Sequence, residues 1–96
     1  MKDNFYLHHY KQQNLKDNIQ TIENALEIVS QLRGVKFTWK DNGNKSYGVI
    51  AQELEKILPD LVDGSVNKSV NYSGLIAFLI NAVKELDARV ASLESA

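Results

Sequence analysis

Between Tyr72 and Ala96 the apolar residues Tyr72, Ile76, Leu79, Val83, Leu86, Val90 and Leu93 recur at alternating spacings of four and three without a break. That period belongs to a helix carrying one narrow apolar stripe, a heptad seam. The other faces carry Lys84, Glu85, Asp87, Arg89 and Glu94, which suit water. From Lys84 onward those faces are too charged to sink into a globular core, so the stripe needs a second helix to cover it. Parallel copies of the same helix meet that need, and packing on its own domain is the alternative. On this reading Glu85 points to solvent, and its replacement by alanine does little.

How many copies meet is less clear from the pattern. Ile76, Val83 and Val90 alternate with Leu79, Leu86 and Leu93, and branched residues at one seam position with Leu at the other favour two strands. Near the start of the helix, Leu75, Phe78, Ile80 and Ala82 widen the apolar face beyond a two-stranded seam. The helix is therefore expected to begin inside a globular layer and end as a projecting coil. The seam says oligomer and leaves the number open.

The chain of 96 residues is one domain near the lower limit for a self-sufficient core. If the terminal helix is shared between subunits, folding and association are coupled. A formal charge of −1 with mixed signs gives no basic footprint, so neither nucleic acid nor a membrane surface is an expected partner. With no cysteine there is no disulfide and no thiolate metal site. No long apolar run suggests a membrane span, and the polar residues after Met1 suggest no secretory signal.

Ahead of the seam, residues 1 to 18 are polar, with aromatics at Phe5, Tyr6 and Tyr10. His8 and His9 are adjacent, which points them apart, so they read as surface residues of a linker. Neither a metal site nor a cofactor is expected. Thr21 is placed to cap a helix whose apolar face is Ile22, Ala25, Leu26, Val29 and Leu32, with Gly34 as its C-terminal stop. Val35 to Lys40 alternates apolar and polar, a half-buried strand, and Asn42-Gly43 signals a two-residue hairpin. Its partner strand starts near Lys45 and runs through Gly48, Val49 and Ile50. Ala51, Leu54, Ile57 and Leu58 then form one face of a short helix that Pro59 ends. Leu61 and Val62, an Asp63-Gly64 turn, and Val66 to Val70 read as a weaker second hairpin. Asn71 or Ser73 caps the final helix. The expected fold is α+β: helix, hairpin, short helix, hairpin, long C-terminal helix.

Chemistry is sparse. There is no glycine-rich phosphate loop, paired metal-ligand spacing or nucleophile elbow. Glu53 and Glu55, two apart on a helix, cannot face each other. Ser73 has no following histidine and reads as a cap. Spacing alone gives a small oligomeric α+β domain.

Several ordered blocks carry a resemblance. They are Leu15-Lys16-Asp17-Asn18-Ile19, Ile22-Glu23-Asn24-Ala25-Leu26 and Leu32-Arg33-Gly34-Val35-Lys36-Phe37-Thr38-Trp39-Lys40. Further on come Gly48-Val49-Ile50-Ala51-Gln52-Glu53-Leu54-Glu55, Leu58-Pro59-Asp60-Leu61-Val62, Val70-Asn71-Tyr72-Ser73-Gly74-Leu75-Ile76 and Ala82-Val83-Lys84-Glu85-Leu86. Together, over roughly residues 11 to 90, they resemble the C-terminal intramolecular chaperone and auto-processing domain of bacteriophage tail spikes and tail fibres, as in endosialidase. The resemblance implies a homotrimer, with Ile76, Leu79, Val83, Leu86, Val90 and Leu93 at a trimeric coiled-coil interface. It implies that the trimer templates folding of an upstream β-structured passenger in the same polypeptide. It also implies a virion tail component made in the bacterial host cytoplasm. Residues 1–10 would then be the end of the passenger or a linker, 11–71 the α+β chaperone domain and 72–96 the trimerisation helix.

The family it resembles releases itself with a serine–lysine dyad, the lysine base standing five residues after the serine. Carried over, the base position falls on Lys16 and the nucleophile position on Lys11, with Gln12 where an aspartate is expected. No Ser, Thr or Cys precedes Thr21. Self-cleavage needs a hydroxyl to attack the preceding carbonyl and form an ester, and a second amine cannot do this. The expectation is a chaperone that is not an enzyme, with no catalytic residue. The alternatives are a self-cleaving peptidase with a shifted nucleophile, or a permanent structural or receptor-contacting tip of a fibre.

Overall fold

The structure, a computed structural model, describes residues 15–96. The expectations for His8, His9, Lys11, Gln12 and the 1–10 boundary lie outside the described residues. Within them the α+β order is as expected. Helix α1 (Ala25–Val29) leads to a hairpin of β1 (Val35–Thr38) and β2 (Lys45–Gly48). Helix α2 (Ala51–Ile57) runs into a 3-10 turn, Pro59–Leu61, then β3 (Val62–Asp63), β4 (Ser69–Val70) and the long α3 (Tyr72–Glu94). Each hairpin is its own two-stranded antiparallel sheet.

The core is small and sits where α2, the 3-10 turn and the start of α3 meet. Leu54, Leu61 and Leu75 are buried together, with Leu32, Val49, Leu58, Val62, Val70 and Phe78 packed around them. Leu54, from the expected face of α2, is only 1% exposed. Pro59 opens the 3-10 turn as well as ending α2, since its missing N–H costs nothing at a first helical position. That turn swings Leu61 against the first turn of α3, so close that a Cβ on Gly74 would lie 2.5 Å from Leu61 Cδ2. The side chain of Asn71, not Ser73, caps α3: its Oδ1 accepts the N–H of Gly74 at 3.0 Å.

Several local expectations are corrected. Helix α1 is five residues long, does not begin at Thr21 and does not reach Leu32 or Gly34. Asn24, just before it, takes the left-handed conformation (φ 57) and offers no side-chain cap. The chain leaves α1 at Ser30 through tightened bonds from Gln31 N to Ile28 O and Leu32 N to Val29 O. This brings Leu32 to the core as part of a loop, and Gly34 has no positive φ to supply.

The first hairpin pairs Val35 with Gly48 and Thr38 with Lys45. Trp39 N donates to Asn44 O at 2.9 Å and Gly43 N to Trp39 O at 2.8 Å, so the loop is Lys40 to Gly43 and not a two-residue turn. Asn42 Oδ1 accepts the Asn44 N–H and Gly43 sits at φ 71, a side-chain-closed turn in place of the tight one. Strand β2 stops at Gly48, where the Tyr72 hydroxyl lies 2.7 Å from the position a Cβ would take. The second hairpin pairs only Val62 with Val70 and Asp63 with Ser69. Val66, expected in a strand, is 86% exposed in the connecting loop. Lys68 ties that loop to α2 through Glu55 at 3.0 Å.

Candidate assembly interface

Helix α3 presents two stripes. One faces its own domain: Leu75 and Ala82 are buried, and Phe78, Asn81 and Glu85 are partly buried. The other, rotated by roughly a third of a turn, is the predicted seam. Ile76, Leu79, Val83, Leu86, Val90 and Leu93 are between 42% and 77% exposed in the single chain, and Ile80 and Tyr72 lie open beside them. Leu75, Phe78 and Ala82 therefore widen the apolar face inward, toward the chain's own core. From Leu86 to Ala96 every residue is exposed, so the second half of α3 projects beyond the domain. A row of large apolar side chains this exposed on one helix is uncommon in a protein without a partner surface.

The inward stripe contains the correction that matters most for function. Glu85 does not point to solvent. Its Oε2 accepts the N–H of Ala25 at 2.9 Å and its Oε1 the N–H of Leu26 at 3.0 Å. A helix N-terminus leaves its first N–H groups without partners and carries partial positive charge, so a carboxylate there is stabilised twice over. The two backbone donors, Leu26 first and Ala25 second, hold the Glu85 carboxyl below the ordinary range; partial burial opposes this and Arg89, one turn on, assists. One turn earlier, Asn81 Nδ2 donates to Ile22 O at 3.3 Å. Five residues are too few to sustain a helix alone, and α1 stands because α3 caps it. The missing signal in the sequence was a negative one: α1 has no usable local cap, so its donors had to be met from elsewhere.

The other expected site residue lies ahead of α1. Lys16 is exposed in the irregular segment ahead of α1, and Lys11 lies outside the described residues. The hairpin forms an open depression lined by Lys36, Phe37, Thr38, Lys45, Ser46 and Tyr47. Ser46 stands opposite Phe37 in the ladder, which by strand alternation is the face away from Lys36 and Lys45. No serine–lysine pair is assembled there. Arg33 and Glu53 form an exposed two-bonded ion pair, which raises the Arg33 pKa and lowers that of Glu53. Among the described residues no three His, Cys, Asp or Glu side chains come together as a metal site. No helix among them is long and apolar enough to cross a membrane.

Comparison with known proteins adds to this geometry. The profile of the family described as "Chaperone of endosialidase" matches residues 13–63. The long tail fiber protein Gp37 of Enterobacteria phage K3 is 39% identical over 92 residues, taking in 84% of this chain and 7% of that protein. Gp37 of Salmonella phage S16 is 33% identical over 82 residues, 72% of this chain and 11% of that protein. Gp37 of Enterobacteria phage M1 is 34% identical over 93 residues, 84% of this chain and 37% of that protein. The chain thus spans a small part of the length of the relatives it matches. By the family profile and by these identities, the chain belongs to the chaperone-of-endosialidase family.

Proposed function

We propose that this chain is an intramolecular chaperone domain of a phage tail fibre. It trimerises through α3 and promotes folding and assembly of the fibre segment upstream of it. The observation that carries the reading is the seam: six apolar residues, 42% to 77% exposed, on a helix whose other apolar stripe is already occupied by its own domain. Membership of a chaperone family and likeness to tail fibre proteins support the assembly role and a place in the virion. Residues 11–71 supply the α+β body, 72–96 the helix that three copies share, and 1–10 the end of the passenger or a linker.

A trimeric β-structured passenger loses much chain entropy before its interchain contacts form. A unit that trimerises first holds three chain ends together and raises their effective concentration. The domain does not cleave itself, because the position five before Lys16 holds Lys11 and residues 1–20 include no Ser, Thr or Cys.

The test is sedimentation equilibrium on the 96-residue chain at micromolar concentration. A mass three times the 10.8 kDa of one chain is expected. A folded monomer overturns the reading, and a dimer overturns the trimer. Val83→Asp would place one carboxylate from each chain on the axis, where it must be desolvated or protonated. This variant is expected to abolish the trimer and leave the upstream fibre aggregated. Wild-type fibre yield from Val83→Asp chains that no longer trimerise would make the domain a structural cap instead.

A further inference from the structure

The seam explains how three copies of α3 would meet, but not how their alignment reaches the chain that precedes the domain. The described chain enters through residues 15–24, an irregular stretch with no strand and no regular helix from Lys16 to Asn24. Leu15 and Ile19 are exposed in it, so it has little apolar packing to fix its position. It and the first turn of α1 that follows it are fastened to the assembly helix by polar contacts. Asn81 holds the carbonyl of Ile22, and Glu85 holds the N–H groups of Ala25 and Leu26. Both residues lie on α3 level with the seam residues Leu79, Val83 and Leu86, within the same two turns. Below these tethers α1 continues into the loop that delivers Leu32 to the core. Above them only the arm remains.

We infer that Glu85 is the positioning residue that locks the N-terminal arm to the assembly helix, so that the alignment set by the seam is handed to the fibre segment upstream. The inference rests on the trimeric chaperone reading above. It makes a separable claim: the seam holds the subunits together, and the tether makes that association useful to the passenger. Glu85 suits the task because a carboxylate accepts two backbone N–H bonds at once in a fixed fork. A glutamine there keeps one acceptor and presents an NH₂ group to the second backbone donor. Asn81 provides a second, weaker tether one turn away, so the arm is held at two levels and cannot simply pivot.

The experiment uses the full-length fibre polypeptide carrying this chain, and the 96-residue chain alone, with Glu85→Gln, Asn81→Ala and the exposed-site control Glu94→Gln. In the 96-residue chain, Glu85→Gln is expected to keep the wild-type trimer mass and half-assembly concentration by sedimentation. Amide exchange at Ala25 and Leu26 should quicken by about tenfold or more. In the full-length polypeptide the yield of soluble, protease-resistant fibre trimer should fall several-fold. Asn81→Ala should lower that yield in the same direction but less, and Glu94→Gln should leave it at wild type. Wild-type fibre yield from Glu85→Gln, with the two amides exchanging fast, overturns the proposal. So does loss of the trimer in Glu85→Gln, which would make the contact a support of α3 itself and not a coupling. Failure of the trimer reading is seen separately, in the wild-type chain before any variant is made, and removes the proposal with it.

Discussion

Replacing Leu86 with alanine tests the assembly interface quantitatively. The change removes three carbons, and at about 0.8 kcal/mol per buried CH₂ their full burial is worth ~2.4 kcal/mol. Leu86 is 49% exposed in the single chain, so about half of that remains to be gained on assembly, ~1.2 kcal/mol. A trimer repeats the loss in each chain, giving ~3.5 kcal/mol per assembled particle. At about 1.4 kcal/mol per factor of ten, the association constant falls by roughly 300-fold. For a trimer the half-assembly concentration varies as the inverse square root of that constant, so it rises by about 20-fold. Sedimentation or light scattering across a dilution series reads this directly. Leu54→Ala is the contrasting control: that side chain is already buried in the protomer, so truncation should cost about 2–5 kcal/mol of folding stability in denaturant at any concentration. An unmoved half-assembly concentration for Leu86→Ala, with a loss of protomer stability matching that of Leu54→Ala, would place Leu86 in the protomer's own packing and refute the interface.

The Glu85 contact should respond to acid in a fixed direction. Its carboxyl is held below the usual range in the folded state, so its contribution is complete above the ordinary carboxylate pKa and lost as pH falls through the lowered folded value. The difference in melting temperature between wild type and Glu85→Gln is expected to be constant between about pH 5 and 8 and to shrink below about pH 4. A difference undiminished at about pH 2 would show that the charge is not what holds α1. For the proposed absence of self-cleavage, Lys11→Ser with Gln12→Asp is expected to restore slow cutting before residue 11, and adding Lys16→Met should abolish it; mass spectrometry of a passenger fusion reads both. Cutting at that point by the unmodified chain would refute the missing-nucleophile argument.

What could be read from the sequence followed the range of the interactions involved. The apolar stripe from Ile76 to Leu93, the Leu54 face of α2 and the cap of α3, expected at Asn71 or Ser73 and found at Asn71, each depend on residues within a turn or two of one another, and all three are visible in the structure. The first hairpin was legible in strand and face but not in turn: Asn42-Gly43 signals a tight connection, while the Asn42 side chain closes a wider one. Val66 looked like strand by residue type, but the ladder ends with Asp63 and Ser69. The largest error was α1 and Glu85 together. Thr21 and Gly34 are good local punctuation for a helix, yet the helix forms only where a side chain sixty positions away supplies its cap. Glu85 reads as a solvent residue in a heptad because heptad reasoning assigns faces to one helix at a time.

That cap also fixes an order of events during synthesis. The donors at Ala25 and Leu26 are made early, and their acceptor Glu85 is made sixty residues later. A five-residue helix cannot nucleate stably beforehand. Until the ribosome has passed residue 85, then, α1 lacks its cap. A chain clipped ahead of Glu85 leaves α1 without that cap. The first half of α3 thus sets when the opening of the domain can take its final shape.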